Sequence, residues 1–235
     1  MAATIKTNHL RKVYGNKIAV DDLSEDFYAG QVVALLGENG AGKSTLLNMI
    51  VGFLTPTAGK VLINGKDIAL NADICKQHIG FLPEGSPLYD DMNVADFIGY
   101  MADLKGVDYN QTARVIKLAN LDEVTDCKIE ALSKGYRRRV GFAISQLGNP
   151  PILLLDEPTD GLDPNQKAHL LGLIGDMGKE KTIIISTHLL DEAQNVANRI
   201  MIMHKGIIKI DGDLDTILHR TRTSSLENAF VKMTR

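Results

Sequence analysis

The stretch Val32-Val-Ala-Leu-Leu36-Gly37-Glu-Asn39-Gly40-Ala41-Gly42-Lys43-Ser44-Thr45 decides the fold. Five apolar residues run straight into a glycine, which reads as a strand buried on both faces. Beyond the glycine-rich segment, Leu46, Leu47, Ile50 and Val51 recur at helical spacing, so the pattern predicts a helix over 43–53. Between the two lies G-x-x-x-x-G-K-S, in the strand-before, helix-after setting such a loop requires. Its glycines let backbone N–H groups point inward around phosphate oxygens, where a Cβ would obstruct. The helix start adds a positive dipole end. Lys43 brings a full charge to the outer phosphates, and the Ser44 hydroxyl is a ligand for Mg²⁺. ATP with Mg²⁺ is the expected occupant, held by Gly37, Asn39, Gly40, Ala41, Gly42, Lys43, Ser44 and Thr45.

A second apolar run, Ile152-Leu-Leu-Leu-Asp156-Glu157-Pro158, ends in paired acids. In open α/β sheets ligands bind outside the carboxyl ends of strands, where both this pair and the phosphate loop fall. Asp156 is expected to hold Mg²⁺ through water, and Glu157 to polarise the attacking water as general base. The competing reading is an ordinary strand-to-helix turn in which Asp156 caps the helix.

Outward from these motifs, short strands alternate with helical patterns. Strands are predicted at 61–63, 152–155, 182–185 and 200–203, and helices at 165–177 and 189–196. Asn64-Gly65 marks a hairpin. From 94 to about 148 only helical patterns occur, at 94–104, 111–119 and 137–147. Residues 4–13 and 18–28 read as strands of a smaller antiparallel sheet. The expected fold is α/β: a P-loop NTPase with a mostly parallel sheet, an N-terminal antiparallel β subdomain and an α-helical subdomain inserted over roughly 85–149. Residues 1–222 form the ATP-binding domain and 223–235 a short helical tail.

The bulk composition excludes several classes. At 44% hydrophobic residues the chain can bury a sizeable core. With 26 basic and 29 acidic residues the net charge is −3, which offers no basic field for nucleic acid. The two cysteines, Cys75 and Cys127, lie far apart without metal-ligand spacing and read as reduced thiols of a cytosolic protein. Residues 1–11 show no signal-peptide pattern, and no apolar run approaches the length of a membrane span.

With Leu132-Ser133-Lys134-Gly135-Tyr136 placed about 20 residues before the acidic strand, the chain resembles the nucleotide-binding subunits of ABC transporters over nearly its whole length. That resemblance implies a loop, led by Ser133 and Gly135, that closes on ATP bound to a second ATP-binding subunit. A Ser-led helix start is an anion site on physical grounds too, though a capped, solvated helix fits the same residues. Arg137, Arg138 and Arg139 follow within two turns and oppose the helix dipole, so an anionic partner is expected nearby. Thr159-Asp-Gly-Leu-Asp163 is similar to the family's loop between subunits. His188, after Ser186-Thr187, matches its switch histidine, expected to bond the γ-phosphate or the attacking water. Tyr14 matches the aromatic that stacks on adenine, although an aromatic near a strand end more often belongs to a core.

Two positions depart from the family pattern. Glu84, in Phe81-Leu-Pro-Glu84, stands where glutamine is usual; a carboxylate only accepts hydrogen bonds but can ligate Mg²⁺. In the signature, Lys134 and Tyr136 replace glycine and glutamine, and Lys134 could add charge near the opposing phosphates. The tail Ser225-Leu-Glu-Asn-Ala-Phe230 resembles that of ABC-2 exporters, while Leu226 and Phe230, four apart, equally suit a plain amphipathic helix. The resemblance therefore implies an ATPase on the cytoplasmic face of the cell membrane, held there by an integral-membrane permease, with the 84–110 block as the docking side. A soluble ABC-type ATPase is the alternative.

Overall fold

In the computed structural model, which describes residues 3–235, the run Val32–Leu36 forms β4, the third strand across a six-stranded sheet. Its neighbours are β9 (Thr182–Thr187), β8 (Ile152–Asp156), β7 (Ile79–Leu82), β10 (Arg199–His204) and β11 (Ile207–Gly212), in the order β11-β10-β4-β9-β8-β7. All pairings are parallel except β10 with β11. Alternation along each strand sends side chains to two different cores. Val32, Ala34 and Leu36 join the same cluster as Leu153, Leu155, Ile183 and Ile185. Val33 and Leu35 face the other way, with Leu154, Ile184 and Met201. Both faces are covered, as apolar parallel strands require.

One face is covered by α1 (Lys43–Ile50), α2 (Ala72–Gln77) and an antiparallel sheet built from β1 (Ile5–Tyr14), β2 (Lys17–Leu23), β3 (Asp26–Phe27), β5 (Ala58–Ile63) and β6 (Lys66–Asp67). The β5–β6 hairpin turns at Asn64 and Gly65, with φ of 49° and 78°, as the sequence signal requires. On the other face lie α3 (Val94–Lys105), α4 (Asn110–Leu118), α5 (Lys134–Ser145), α6 (Pro164–Met177), α7 (Leu190–Val196), α8 (Leu214–Thr221) and α9 (Leu226–Thr234).

The three helices predicted between 94 and 148 are present as α3, α4 and α5. Their apolar residues, Phe97, Ile98, Val115 and Phe142 among them, share one continuous core with the sheet. The tail is the amphipathic helix α9, whose Leu226 and Ala229 are fully buried in that same core. Among the elements not predicted are α2, β7, β11 and α8. The helix predicted over 43–53 stops at Ile50, because Gly52 turns the chain with φ of 75°.

Sheet order places the functional loops side by side. Neighbouring strands β4, β9, β8 and β7 run parallel and end level with one another: Leu36 pairs with Thr187, Ser186 with Asp156, and Leu155 with Leu82. Their carboxyl ends deliver the glycine-rich loop, His188, Glu157 and Glu84 to one edge, where α/β sheets bind ligands.

Candidate functional site

The loop after β4 owes its shape to two kinds of glycine. At Gly42 (φ 111°) a Cβ would run into the Ala19 carbonyl and the Met203 side chain, so both space and backbone demand glycine. Gly40 (φ 82°) has open space around it and is needed only for its backbone angle. Gly42 caps α1 without a side-chain hydrogen bond, and no acid stands in the helix's first turn. The first-turn amides and the positive dipole end are thereby left for an external anion.

Lys43 is buried, its Nζ donating to the Gly37 carbonyl at 2.6 Å and the Glu38 carbonyl at 3.3 Å. Burial pulls its pKa down from the usual lysine value, against the opposing pull of Glu157, Asp156 and Glu84. Glu157 Oε1 lies 3.9 Å from that ammonium, and Oε2 lies 3.0 Å from His188 Nδ1. The Glu157 backbone sits in the left-handed region at φ 50°, with its N–H donating to the Ser186 carbonyl and hydroxyl at 3.1 and 3.2 Å. A bulky residue held there is a strained position of the kind that gathers at functional sites.

Lys43 and Glu157, but not His188, open onto a cleft of about 420 Å³ lined by Tyr14, Asn39, Gly40, Gly42, Lys43, Ser44, Thr45, Glu84 and Glu157, together with Lys17, Ala19 and Glu38. Tyr14 is 48% exposed at the end of β1, so it belongs to the cleft wall and not to a core. Gly37 and Ala41 build the loop without facing the cleft. Lys17, Ala19 and Glu38 were not anticipated; the two on β2 come to the cleft only through sheet pairing with the Tyr14 strand. Asp156 is buried behind the cleft, its carboxylate accepting from the Ser186 hydroxyl.

Ser133 and Gly135 do not line this cleft. Ser133 is exposed and caps α5, its Oγ accepting from the Tyr136 N–H at 3.3 Å. A Cβ at Gly135 would lie 2.9 Å from the Gly161 carbonyl, so α5 starts hard against the 159–163 loop. The three arginines each find partners within the chain, so the expected external anion is not required to explain them, although the buried Nε atoms of Arg138 and Arg139 are left without a partner. Arg137 pairs with Asp90 at 2.6 Å; Arg139 donates to the Asn120 carbonyl and covers the Tyr136 ring. Arg138 is buried and donates to Pro83, Ser86 and Asp156. Lys134, expected to bring charge toward an opposing phosphate, is paired with Asp160 at 2.8 Å.

The architecture and the glycine-rich loop define a P-loop NTPase. The ABC transporter family matches residues 20–160. An ABC transporter ATP-binding protein of Methanocaldococcus jannaschii is 34% identical over 94% of this chain and 81% of its own length. The human phospholipid-transporting ATPase ABCA3 is 34% identical over 90% of this chain, which spans only 13% of that protein's length. Among solved structures, the ATP-binding subunit of an ABC transporter superposes with a TM-score of 0.91 at 28% identity, covering 99% of this chain and 100% of that one. A dimeric ATP-binding cassette in a post-hydrolysis state with ADP and Pi gives 0.83 at 25% identity, covering 89% and 98%. The chain belongs to the ABC transporter family. It is an ABC ATP-binding cassette, an ATPase domain of that family.

Proposed function

We propose that this chain drives a membrane transporter by hydrolysing ATP, with Glu157 as the base. The observation that carries the reading is the convergence of Lys43, Ser44, Glu84 and Glu157 on one cleft, with His188 Nδ1 3.0 Å from Glu157 Oε2. Adenine would rest on Tyr14. The phosphates would lie along 37–45, where Lys43 exchanges its loop carbonyls for phosphate oxygens. Glu157 would then take a proton from the attacking water.

The residues present fit a magnesium ion. Ser44 and Glu84 both offer oxygen to the cleft, and Mg²⁺ needs only one or two protein oxygens besides phosphate and water. Among the described residues no cluster of three His, Cys, Asp or Glu forms a self-sufficient metal cage. Ser44 and Glu84 would hold the ion directly and Asp156 through water. The ion would supply charge neutralisation on the transferring phosphoryl group.

Ser133 and Gly135 lie outside the cleft of their own subunit, and we infer that they complete the cleft of a second one. The dimeric arrangement of the related cassette supports that reading. An integral-membrane permease would dock on the apolar groove between the sheet edge and α3. Phe53, Tyr89 and Leu104, 64%, 57% and 63% exposed, rim that groove, with Phe81, Phe97 and Met101 inside it. An exposed apolar groove of this kind suits an amphipathic helix. Among the described residues no helix is long and apolar enough to cross a membrane, so attachment to the cytoplasmic face would run through the permease. Export is the direction we favour, on the resemblance to ABC-2 subunits.

The test is Glu157→Gln. Turnover is expected to fall by about 100-fold or more while ATP binding is retained. ATPase activity near that of the unmodified chain would remove Glu157 as the base. Co-purification with a multi-span membrane protein checks the transport reading; recovery with ribosomes instead would favour a soluble ATPase.

A further inference from the structure

Arg138 is the most deeply buried of the arginines on α5, at 4% exposure. Its Nη1 donates to the Pro83 carbonyl at 2.7 Å and to Ser86 Oγ at 2.8 Å, and its Nη2 donates to the Asp156 carbonyl. Burial draws its pKa down to about 10, with Asp156, Asp160, Glu157 and Glu84 pulling the other way, so the group stays charged at neutral pH. A buried guanidinium needed only for charge balance would pair with a carboxylate. This one grips two backbone carbonyls and a hydroxyl.

The carbonyls it grips are particular ones. Pro83 O belongs to the peptide unit that leads into Glu84, and Asp156 O to the unit that leads into Glu157. Both segments are held in left-handed backbone, Glu157 at φ 50° and Ser86 at φ 42°. Such positions persist only where the surroundings over-determine them. The next turn of α5 reinforces the grip. A Cβ at Gly141 would lie 2.8 Å from Leu82 Cδ1 and 3.0 Å from Ser86 Oγ, so helix and loop are in close contact at that point.

We propose that Arg138 is a positioning residue: from the Ser133-led helix, its guanidinium fixes the two peptide segments that aim Glu84 and Glu157 into the nucleotide cleft. It touches neither the cleft nor the reacting atoms. Any displacement of α5 would be passed to both acids together. The inference rests on the reading of Glu84 and Glu157 as the acids that face bound nucleotide.

The experiment compares steady-state ATPase kinetics with equilibrium ATP binding for the full chain and its variants. Arg138→Met is expected to lower kcat by about tenfold or more, the scale of a small misplacement of a reacting group. ATP affinity should change by less than about threefold, because Lys43 and its loop are untouched. Arg138→Gln, whose amide can still donate to one carbonyl, should recover part of the rate. A kcat equal to that of the unmodified chain in Arg138→Met would overturn the proposal. So would kcat and binding falling together, the pattern of a structural residue. Should Arg138→Met fail to fold, Ser86→Ala removes one bond alone and should lower kcat about two- to fivefold at unchanged affinity; an unaltered kcat there is equally fatal. If Glu157→Gln remains active, it is the reading of the acids that fails. If Glu157→Gln is dead and Arg138→Met runs at full rate, only the present proposal fails.

Discussion

His188 Nδ1 lies 3.0 Å from Glu157 Oε2, while Glu157 Oε1 faces Lys43 Nζ at 3.9 Å. An ionised carboxylate only accepts, so in this pairing Nδ1 carries the proton. A neutral ring then turns an accepting Nε2 outward, and a charged ring turns out an N–H. The glutamate is thus held at both oxygens by groups from two other strand ends, β9 through His188 and β4 through Lys43. Holding a base in one orientation is worth more than its bare presence, because proton transfer is steep in geometry.

His188→Ala releases one of those two oxygens and leaves the phosphate loop intact. The expected outcome is a fall in kcat of about 100-fold with ATP affinity nearly unchanged. Parallel measurements of turnover and equilibrium binding check it. Equal losses in both would assign His188 to nucleotide binding alone.

The glycine-rich loop yields a paired prediction that separates space from backbone angle. Gly40→Ala meets nothing within 4 Å and suffers only from φ 82°, so its cost is about 1–2 kcal/mol. Gly42→Ala combines φ 111° with a collision against backbone at Ala19. It should lose more than Gly40→Ala by about 2 kcal/mol, since a backbone carbonyl cannot step aside as a side chain can. Denaturant melts of the two variants beside the unmodified chain provide the comparison, and equal midpoints would contradict it.

The sequence displays some of these relations and hides others for physical reasons. Val32–Leu36 and Ile152–Asp156 are legible because each is a continuous apolar run ended by a glycine or by acids, and both are central strands buried on two faces. By contrast, β7 is only Ile-Gly-Phe-Leu, too short to display a period, and it shows itself only as the element that carries Pro83 and Glu84. β11 is an edge strand with Ile210 its one buried position, so alternation along it is faint. α8 did carry a readable sign in Asp213, which caps it by accepting from the Thr216 N–H at 2.8 Å, ahead of Leu214 and Ile217. Of the residues named by motif, Tyr14, Asn39, Gly40, Gly42, Lys43, Ser44, Thr45, Glu84 and Glu157 line the cleft, while Gly37, Ala41, Asp156 and His188 do not. What no local pattern could reveal was the pairing of the three arginines and Lys134, because Asp90, Asn120, Ser86 and Asp160 are brought to them by folding.

Arg199 joins the antiparallel and six-stranded sheets, bonded to Asp211 at 2.6 and 2.8 Å, to Glu25 at 2.9 Å and to the Asp26 carbonyl at 2.6 Å. Glu25 shares that cation with Asp211. Burial, followed by repulsion from Asp211, raises its pKa above the usual glutamate value despite the arginine. The folded state then binds the Glu25 proton more tightly than the unfolded state. Its contribution to stability is fullest below the unfolded pKa and declines as pH rises through the folded one. Glu25→Gln, which keeps an acceptor for Arg199 without the charge, is expected to raise the melting temperature at pH 8, with the gain shrinking as pH falls toward 4.5. A destabilised variant at pH 8 would reverse the assignment.

Glu84 offers the sharpest test of whether the proposed Mg²⁺ is held from position 84. It faces the cleft beside Ser44, and its charge acts on Lys43, so it adds one negative charge to a site that must already accept phosphates. A carboxylate binds Mg²⁺ more strongly than a neutral amide oxygen but repels phosphate, and the two effects act on different measurable quantities. Glu84→Gln keeps the size and one carbonyl oxygen while removing the charge. Its apparent affinity for ATP in the absence of divalent cation should rise, by about two- to fivefold for a screened charge at this distance. Its Mg²⁺ requirement for turnover should shift to higher concentration, because the ion loses an anionic ligand. Titrating ATPase rate against Mg²⁺ and measuring ATP binding in EDTA separates the two. A variant whose Mg²⁺ dependence is unmoved would mean that the ion is held by Ser44 and the phosphates without help from position 84.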